Sequence, residues 1–569
     1  MNRFAIFILL AGALSLTSCY KLDTVPYSQV SASTFWQNEE QVLGGVLGVY
    51  NDLKKEKTFG LQFSYDCLTD IGLGYDGAGL GEIISGTFTD RSALVVDRWQ
   101  AGYDLIQRSN HAIGQIQQMT TVDDQTKNGF VGELRFLRAL MYFQLTNLFG
   151  ALPLYDESVD LNKDFSNLTN ERSSVEDVRK FILADLDFAI ANLPVSYDDK
   201  HYGRITKGAA YALRGKVYLY AKEWQKAIQD FQEIVYNKSN HYGYALADDY
   251  ASLFTMEGDQ STEMIFAIQN LGGTGFPYGM PMAFYMGTRS SFGSDWNNAL
   301  PSTRFADSYE NKDGSPFDWN VYFPNYTQDN AVKKSAMMAT HNNGTFTHVP
   351  DTAKLREIYA NRDPRMNQTL IVPYSYYLGW NANAERMMQL VLATGVNENF
   401  GQIRNNRGWL TYVWRKFVPE GNLKGSLTDR AHTPINFPLI RLADVLLMLS
   451  EAYNEDGQLG NAITELNKVR TRSHMPGLNS GAPFLAVAGK TDMQERISHE
   501  RKIELAAEGW RYFDLKRWGK LEEVSAGFIE KSIVGDNLVT RGYQSRHELW
   551  PIPGAERELN TKLTQNEGW

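Results

Sequence analysis

The chain has 569 residues, of which 43% are hydrophobic and 21% charged, a composition typical of globular proteins with a large core. Its formal net charge is -10, which gives it no general attraction to phosphate backbones and excludes nucleic acid as a general partner. The only cysteines are Cys19 and Cys67, so a disulfide framework is excluded, and Cys67 is predicted to be a small core residue.

The N-terminus has the layout of a bacterial lipoprotein signal. Arg3 precedes an apolar run over residues 4–16, too short to span a bilayer, and the run ends in "LTSC", which resembles a lipobox. We therefore predict a signal peptide over residues 1–18 and acylation of Cys19, which would hold the chain on a membrane. The alternative is an ordinary signal peptide that happens to end near a cysteine. No later segment is hydrophobic for long enough to span a bilayer.

Two long helices are predicted next. Residues 129–150 place apolar side chains at steps of three and four, which indicates an amphipathic helix that Gly150 and Pro153 bring to an end. Residues 174–193 begin with a serine and early acids and stop before a proline, which indicates a second helix.

Two later segments share the spacing of a tetratricopeptide repeat, in which each helix pair buries a face against its neighbour. The shared positions are Gly215, Tyr218, Ala227 and Phe231 in residues 206–236, and Ser450, Tyr453, Ala462 and Leu466 in residues 439–472. Two looser pairs can be added, residues 40–53 with 99–118 and residues 129–150 with 174–193.

Residues 255–435 have a different composition. They are rich in Gly, Asn, Tyr, Trp and Pro and contain few helical runs. Because the stretch is too aromatic for a disordered linker, it is predicted to be a loop-rich region folded onto the helical scaffold. Loops on a rigid scaffold are where binding usually resides.

The sequence contains partial matches to three catalytic or ligand-binding motifs, and each match lacks a residue or element that the motif requires. His499-Glu500 lacks the second histidine of a zinc-protease helix because position 503 is Ile. Residues 72–77 match G-x-G-x-x-G literally, but no good helix follows them. The segment that echoes a calcium loop begins with Tyr309 where a ligand is needed. No metal and no cofactor is predicted, although glycosidase carboxylates need no short motif.

The densest run of charges and aromatic rings, residues 498–520, is predicted to be scaffold. Arg501 can pair with Glu504 or Glu508 across helix turns, or with neighbouring repeats. Gly509 would allow a break between two helices, with the rings inserted between helices.

An ordered set of segments runs through nearly the whole chain. The segments are residues 16–19, 33–53, 132–155, 203–228, 359–370, 438–455, 500–519 and 549–569. Taken together they resemble the SusD/RagB family, which are outer-membrane lipoproteins of Gram-negative glycan-degrading bacteria that bind nutrients on the cell surface.

The resemblance implies a mainly α, single SusD-like domain over residues 19–569. Four tetratricopeptide-type helix pairs would form a scaffold at about 35–240 and 436–525. The irregular, ligand-contacting region would occupy about 255–435, and a C-terminal segment would follow over 525–569.

The resemblance also implies a function. Family members cap a SusC-like TonB-dependent transporter as a lid and bind substrate, commonly an oligosaccharide, without cleaving it. The residues after the lipobox, "YKLDT", hold a single acid, so cell-surface display is expected from the family alone. The alternatives are a lipid-anchored glycoside hydrolase, a repeat-based protein–protein adaptor and a peptide-binding homologue.

A glycan site needs aromatic platforms for the apolar faces of sugars and a few polar groups for their hydroxyls. In the family, such residues come from the irregular region and an early loop. Trp296 is the first choice as platform, and the alternative for each ring is packing within its own loop. The further candidates are Tyr285, Tyr278, Trp319 and Trp380 as rings, Arg289, Asp295 and Asn297 as polar groups, and Tyr75 and Asp76 in the early loop.

Overall fold

The computed structural model describes residues 35–74, 79–159, 168–272, 278–342, 345–396, 398–405 and 408–569. The predicted signal peptide and Cys19, the predicted site of acylation, lie outside these ranges. Tyr75 and Asp76 of the early loop also lie outside them.

Helices dominate the described residues, and the longest belong to the predicted pairs. They are α1 (Glu39–Asp52), α2 (Gly81–Ile84), α3 (Ala93–Gln118), α4 (Asp124–Phe149), α5 (Val175–Asn192), α6 (Lys207–Tyr220), α7 (Trp224–Val235), α8 (Met282–Met286), α9 (Thr303–Asp307), α10 (Asn330–Met337), α11 (Thr352–Ala360), α12 (Pro364–Thr369), α13 (Leu442–Glu455), α14 (Leu459–Arg472), α15 (Lys490–Glu504), α16 (Arg511–Arg517), α17 (Leu521–Ser525) and α18 (Gly554–Leu559). No helix in the described part of the chain is long and apolar enough to cross a bilayer.

The helix boundaries follow from capping. The Asp123 side chain accepts a hydrogen bond from the Thr126 N–H, so α4 begins five residues before the apolar periodicity that predicted it. Gly150, with φ 77°, ends the same helix. Ser174 and Thr206 cap α5 and α6 in the same way as Asp123 caps α4.

Each predicted helix pair is in contact, α1 with α3, α4 with α5, α6 with α7, and α13 with α14. The mainly α prediction is confirmed, and the packing is consistent with tetratricopeptide-type pairs. In the third pair a Cβ on Gly215 would lie 2.6 Å from the Phe231 ring, which explains the small residue at that position. In the fourth, Ser450 Oγ donates to the Ala462 carbonyl at 2.7 Å.

The two halves of the scaffold meet although some two hundred residues separate them in sequence. α7 packs directly against α13. Beside this contact, β2 (Met264–Ile268) pairs antiparallel with β10 (Phe437–Arg441), and Met264 is opposite Arg441. The chain therefore enters and leaves the irregular region at one place.

Strands of the early loop, the irregular region and the C-terminal segment form short, two-stranded antiparallel sheets. The pairs are β1 (Gly72–Gly74) with β3 (Ala299–Pro301), β4 (Thr340–Asn342) with β5 (Thr345–His348), β6 (Leu370–Ile371) with β9 (Val413–Trp414), β7 (Tyr376–Asn381) with β8 (Ala384–Gln389), and β11 (Ile529–Lys531) with β12 (Asn537–Thr540). The β7–β8 hairpin turns through Ala382 and Asn383, both at positive φ, as a tight two-residue turn requires.

The stretch at 498–520 is scaffold built on long-range pairs. Arg501 bonds to Asp514 at 2.7 Å and to Asp444 at 2.8 Å, so the pairing expected with Glu504 or Glu508 is wrong, and the neighbouring-repeat alternative is correct for Asp444. Gly509, with φ 78°, separates α15 from α16, as predicted.

The core is continuous from the scaffold into the irregular region. Cys67 is 1% exposed within it, which confirms the structural prediction for that thiol. Trp550 of the C-terminal segment is buried and donates its backbone N–H to the Leu148 carbonyl at 2.8 Å.

Candidate glycan-binding site

The candidate site is built on the turn at residues 287–298, between α8 and β3. The turn folds back onto α8 because the Trp296 N–H donates to the Phe284 carbonyl at 2.8 Å and the Asn298 N–H to the Tyr285 carbonyl at 2.7 Å. Asn297, with φ 56°, adopts the left-handed conformation that this reversal needs. Trp296 is thereby held at the surface by backbone bonds on both sides of it.

The strand that leads into the early loop lies beside the end of this turn. β1 pairs with β3, and Gly74 is opposite Ala299. A Cβ on Gly74 would lie 3.1 Å from the Asn298 carbonyl oxygen. The residues just before the predicted Tyr75 and Asp76 therefore adjoin the end of the turn.

Trp296 and Phe284 form an aromatic pair at the surface. Trp296 is 38% exposed, and its ring centroid lies 4.6 Å from that of Phe284, with the planes tilted by 39°. The Arg430 guanidinium lies 5.0 Å from the Phe284 ring and donates to the carbonyls of Gly293 and Ser294 at 2.9 and 2.5 Å. We call Trp296, Phe284 and Arg430 the aromatic patch.

Tyr278 and Arg289 lie on the same segment as the patch. Tyr278 is 45% exposed, and the Lys54 ammonium lies 5.5 Å from its ring centre. Arg289 is half-buried, and its backbone N–H donates to the Arg404 carbonyl at 2.9 Å. The Arg289 guanidinium is close enough to Asp295 to lower the pKa of that carboxyl in part.

Trp380 approaches the turn from the β7–β8 hairpin. Its ring lies 4.9 Å from that of Phe292 in an edge-to-face arrangement, and both are half-buried. Its backbone N–H donates to the Ser290 carbonyl at 2.7 Å. The structure therefore brings Trp380 to the same turn as Trp296, across more than eighty residues of sequence.

Four predicted contact residues lie inside the protein, and for them the expectation of direct ligand contact is corrected. Trp319 is 3% exposed, stacks on Tyr326 and donates its indole N–H to Asp307 at 2.8 Å. Tyr285 is 6% exposed, with its hydroxyl 3.5 Å from the Glu56 carboxylate. These rings present no free face to a ligand.

Asp295 and Asn297 are fully buried as well. Burial raises the pKa of Asp295 well above its usual value, although Arg430 and Arg289 act in the opposite direction. Asn297 donates through its side chain to the Met286 carbonyl at 3.4 Å. These two side chains shape the turn from within, while their neighbour Trp296 faces out.

Sequence reasoning missed Phe284, Phe292, Arg430 and Lys54. Phe284 and Phe292 lie in the segment singled out for its rings, so the composition of that segment was a sufficient signal for them. Arg430 and Lys54 are distant in sequence and join the site only through the fold. Across the described ranges, no group of three or more His, Cys, Asp or Glu side chains is placed to hold a metal ion.

Comparison with known families and proteins gives a consistent result. Residues 262–569 match a model described as the SusD family, and residues 22–219 match one described as starch-binding associating with outer membrane. A SusD-like protein of Formosa agariphila is 25% identical over 97% of this chain and 96% of its own length. The starch-binding protein SusD of Bacteroides thetaiotaomicron is 23% identical over 82% of this chain and 77% of its own.

Solved structures show the same fold. A SusD-like protein from Bacteroides fragilis has a TM-score of 0.75 at 24% identity, covering 96% of this chain and all of its own, 100%. A laminarin-binding SusD-like protein has a TM-score of 0.66 at 23% identity, covering 94% of this chain and 100% of its own.

Proposed function

This chain belongs to the SusD family, and from that premise we propose that it is a non-catalytic receptor that binds an oligosaccharide at the aromatic patch. The observation that carries the proposal is the Trp296–Phe284 pair, exposed beside Arg430 on a turn fixed by backbone bonds. An aromatic face adjoining hydrogen-bond donors matches the apolar face and hydroxyl rim of a sugar ring.

Preorganisation supports a binding role for the patch. Arg430 clamps the carbonyls of Gly293 and Ser294, and Trp296 is held by its own backbone bond to α8. A ligand therefore meets a ring whose position is already set, which lowers the entropy cost of binding. Trp380, which packs on Phe292 of the same turn, adds a second half-buried ring.

The names of the relatives support a binding role. One is named a starch-binding protein, and one solved neighbour is described as laminarin binding. A peptide ligand is the competing outcome of the binding test.

We extend the proposal to the cellular role. The chain is anchored to the outer membrane through acylated Cys19, faces the cell surface, and closes as a lid over a SusC-like TonB-dependent transporter that receives the glycan. The match of residues 22–219 to a model described as associating with outer membrane supports this location.

The test of binding uses the full-length chain, purified in detergent, on an array of neutral, amino and acidic glycans. We expect retention of at least one glycan, with no new reducing ends in solution. Trp296→Ala should weaken that binding about tenfold, a loss of about 1.4 kcal/mol, while Trp224→Ala on α7 leaves it unchanged. Release of reducing ends would favour the glycoside hydrolase, and equal affinities for the two variants would refute the patch.

The test of the transporter role is co-purification. The chain, tagged at its C-terminus and extracted from its own outer membrane, should bring down a TonB-dependent barrel. Recovery without a barrel under mild detergent conditions would count against the lid.

A further inference from the structure

A polar cavity lies away from the aromatic patch, at the place where the chain enters and leaves the irregular region. Its volume is about 410 Å³, within the range of small-molecule sites. We call it the amide cavity. The residues that line it are Met256, Glu257, Asp259, Gln260, Gln269, Asn270 and Asn436.

The cavity wall is fixed by its own hydrogen bonds. The Asn436 backbone N–H donates to Asp259 Oδ1 at 2.8 Å, and its side-chain amide donates to Gln269 Oε1 at 2.9 Å. The Asn270 N–H donates in turn to Asn436 Oδ1 at 2.7 Å. Such a network holds planar amide groups in place before any ligand arrives.

The side chain of Asn270 holds an acceptor that has no hydrogen-bond donor among the described residues. Its side-chain NH2 donates to the Ile435 carbonyl at 2.7 Å, which fixes the orientation of the amide. The residue is 9% exposed, and its Oδ1 is buried and accepts no hydrogen bond from the described residues. This oxygen has almost no accessible surface, so a ligand reaches it only if the wall opens slightly. An O–H or N–H that reached it would relieve the cost of a buried acceptor without a donor.

The charged residues that line the cavity restrict the class of ligand further. Glu257 and Asp259 both line the cavity, and no Lys or Arg is among its lining residues in the described part of the chain. Burial, with a smaller effect of Glu257, raises the pKa of Asp259 to about 7. A ligand that donates hydrogen bonds suits these carboxyl groups, and the negative charge of Glu257 disfavours an anionic ligand.

An aromatic ring stands at the edge of the cavity. Tyr202 is 38% exposed and donates its hydroxyl to the Asp259 carbonyl at 3.0 Å. It lines a second hollow of about 200 Å³, which shares Gln269 with the amide cavity. Planar amides, a carboxyl group and a nearby ring form a set suited to a sugar unit.

We propose that the amide cavity is a second binding site, which takes one neutral or amino sugar unit through its hydroxyl or amino donors and rejects uronates. It shares no residue with the aromatic patch. The choice of a sugar over another donor rests on the proposed function.

The test measures monosaccharide binding by saturation-transfer NMR on the full-length chain in detergent, with glucose, galactose, glucosamine and galacturonic acid as probes at millimolar concentration. We expect signals from at least one neutral or amino sugar and none from galacturonic acid. Gln260→Trp, at an exposed position on the rim, should reduce the signals about fivefold by filling the mouth. Gln328→Trp, also exposed in a loop, is the matched control.

A second variant tests the charge argument without touching the network. Glu257→Arg, at an exposed rim position, should admit galacturonic acid. The Gln260→Trp effect should persist in a Trp296→Ala background, since the two sites share no residue. Absence of any monosaccharide signal, or signals equal in Gln260→Trp and Gln328→Trp, would overturn the inference.

Failure of the cavity and failure of the proposed function are distinguishable. If Trp296→Ala weakens oligosaccharide binding but Gln260→Trp leaves monosaccharide signals unchanged, only the cavity is refuted. If no glycan on the array and no monosaccharide binds, both are refuted.

Discussion

Nη1 of Arg441 lies 2.7 Å from Oε1 of Glu504, and both side chains are fully buried although 63 positions separate them. The pair joins β10 to the last turn of α15. Arg365 and Arg472 bond to the same carboxylate. Although burial alone would raise the pKa of Glu504, the guanidinium groups of Arg472, Arg441 and Arg365 lower it overall.

Glu504→Gln should therefore destabilise the protein strongly. The change leaves buried guanidinium groups without their shared counter-charge, which costs about 3–5 kcal/mol. Urea or thermal unfolding measures the loss. Glu176→Gln, which removes an exposed carboxylate bonded to Arg179 at 2.8 Å, should cost less than about 1 kcal/mol. Equal losses of unfolding free energy in the two variants would show that the buried network stabilises the fold no more than an exposed ion pair does.

Asp66 should make stability fall as the pH rises toward neutral. Burial raises its pKa from 3.8 to about 7, and the Gly509 N–H, which donates to its Oδ2, only partly opposes this. The folded state thus keeps a proton that the unfolded state loses, so the stability from this group is full below about pH 4 and is lost by about pH 7.

The check on Asp66 is the difference in unfolding free energy between the wild type and Asp66→Asn, followed from pH 4 to 8. The wild type should lose up to a few kcal/mol relative to the variant across this interval. A flat difference would mean that the carboxyl ionises in the fold much as in the unfolded chain.

Gly215→Ala should destabilise the third helix pair, because the new methyl group would lie 2.6 Å from the Phe231 ring. Overpacking of this kind costs about 1–3 kcal/mol. Gly48→Ala is the control, since Gly48 is exposed on α1 and its Cβ would meet nothing within 4 Å. We expect it to stabilise by about 0.5–1 kcal/mol. Thermal melts of both variants should shift in opposite directions.

Arg430→Met should lower glycan affinity with little effect on folding. The variant loses the donors that hold the Gly293 and Ser294 carbonyls, and with them the fixed position of the turn that carries Trp296. We expect a loss of about tenfold in Kd, measured by titration calorimetry. Arg356→Met, on the exposed face of α11, is the matched control. The role of Arg430 fails if the two variants bind alike.

Trp319→Phe should lower stability without changing glycan affinity, because the Trp319 ring lies in the core. It removes the indole N–H that donates to the half-buried Asp307 carboxylate, which costs about 1 kcal/mol for the lost hydrogen bond. Glycan affinity should stay the same, since the ring is buried. Weaker glycan binding by the variant, with unchanged stability, would show that Trp319 belongs to the binding site.

Local physics made the scaffold predictable from sequence. Apolar periodicity predicts α4 and α5. The repeat spacing predicts that Gly215 faces Phe231, and the steric reason is that only a small residue fits beside that ring. The ionic pairs within 498–520 were harder, because helix-turn rules apply to exposed partners, whereas Arg501 is buried and bonds to groups that only the fold supplies.

The site was partly predictable for a related reason. Aromatic richness picks out the segment that holds Trp296, but it does not distinguish a ring facing solvent from one, such as Trp319, that fills the core. Arg430 lies more than a hundred residues from Trp296 in sequence, and no local sequence pattern predicts that it contacts the aromatic patch. Burial is a property of the assembled loops.

The pairing of β2 with β10 has a consequence for how such a receptor could diversify. Because Met264 and Arg441 face each other, the irregular region is a closed cassette whose two ends meet on one small sheet. Insertions, deletions and exchanges within it leave the spacing of those ends untouched. The loops of this region can thus change while the stacked helices keep their continuity, provided that buried contacts such as Arg365 with Glu504 are kept.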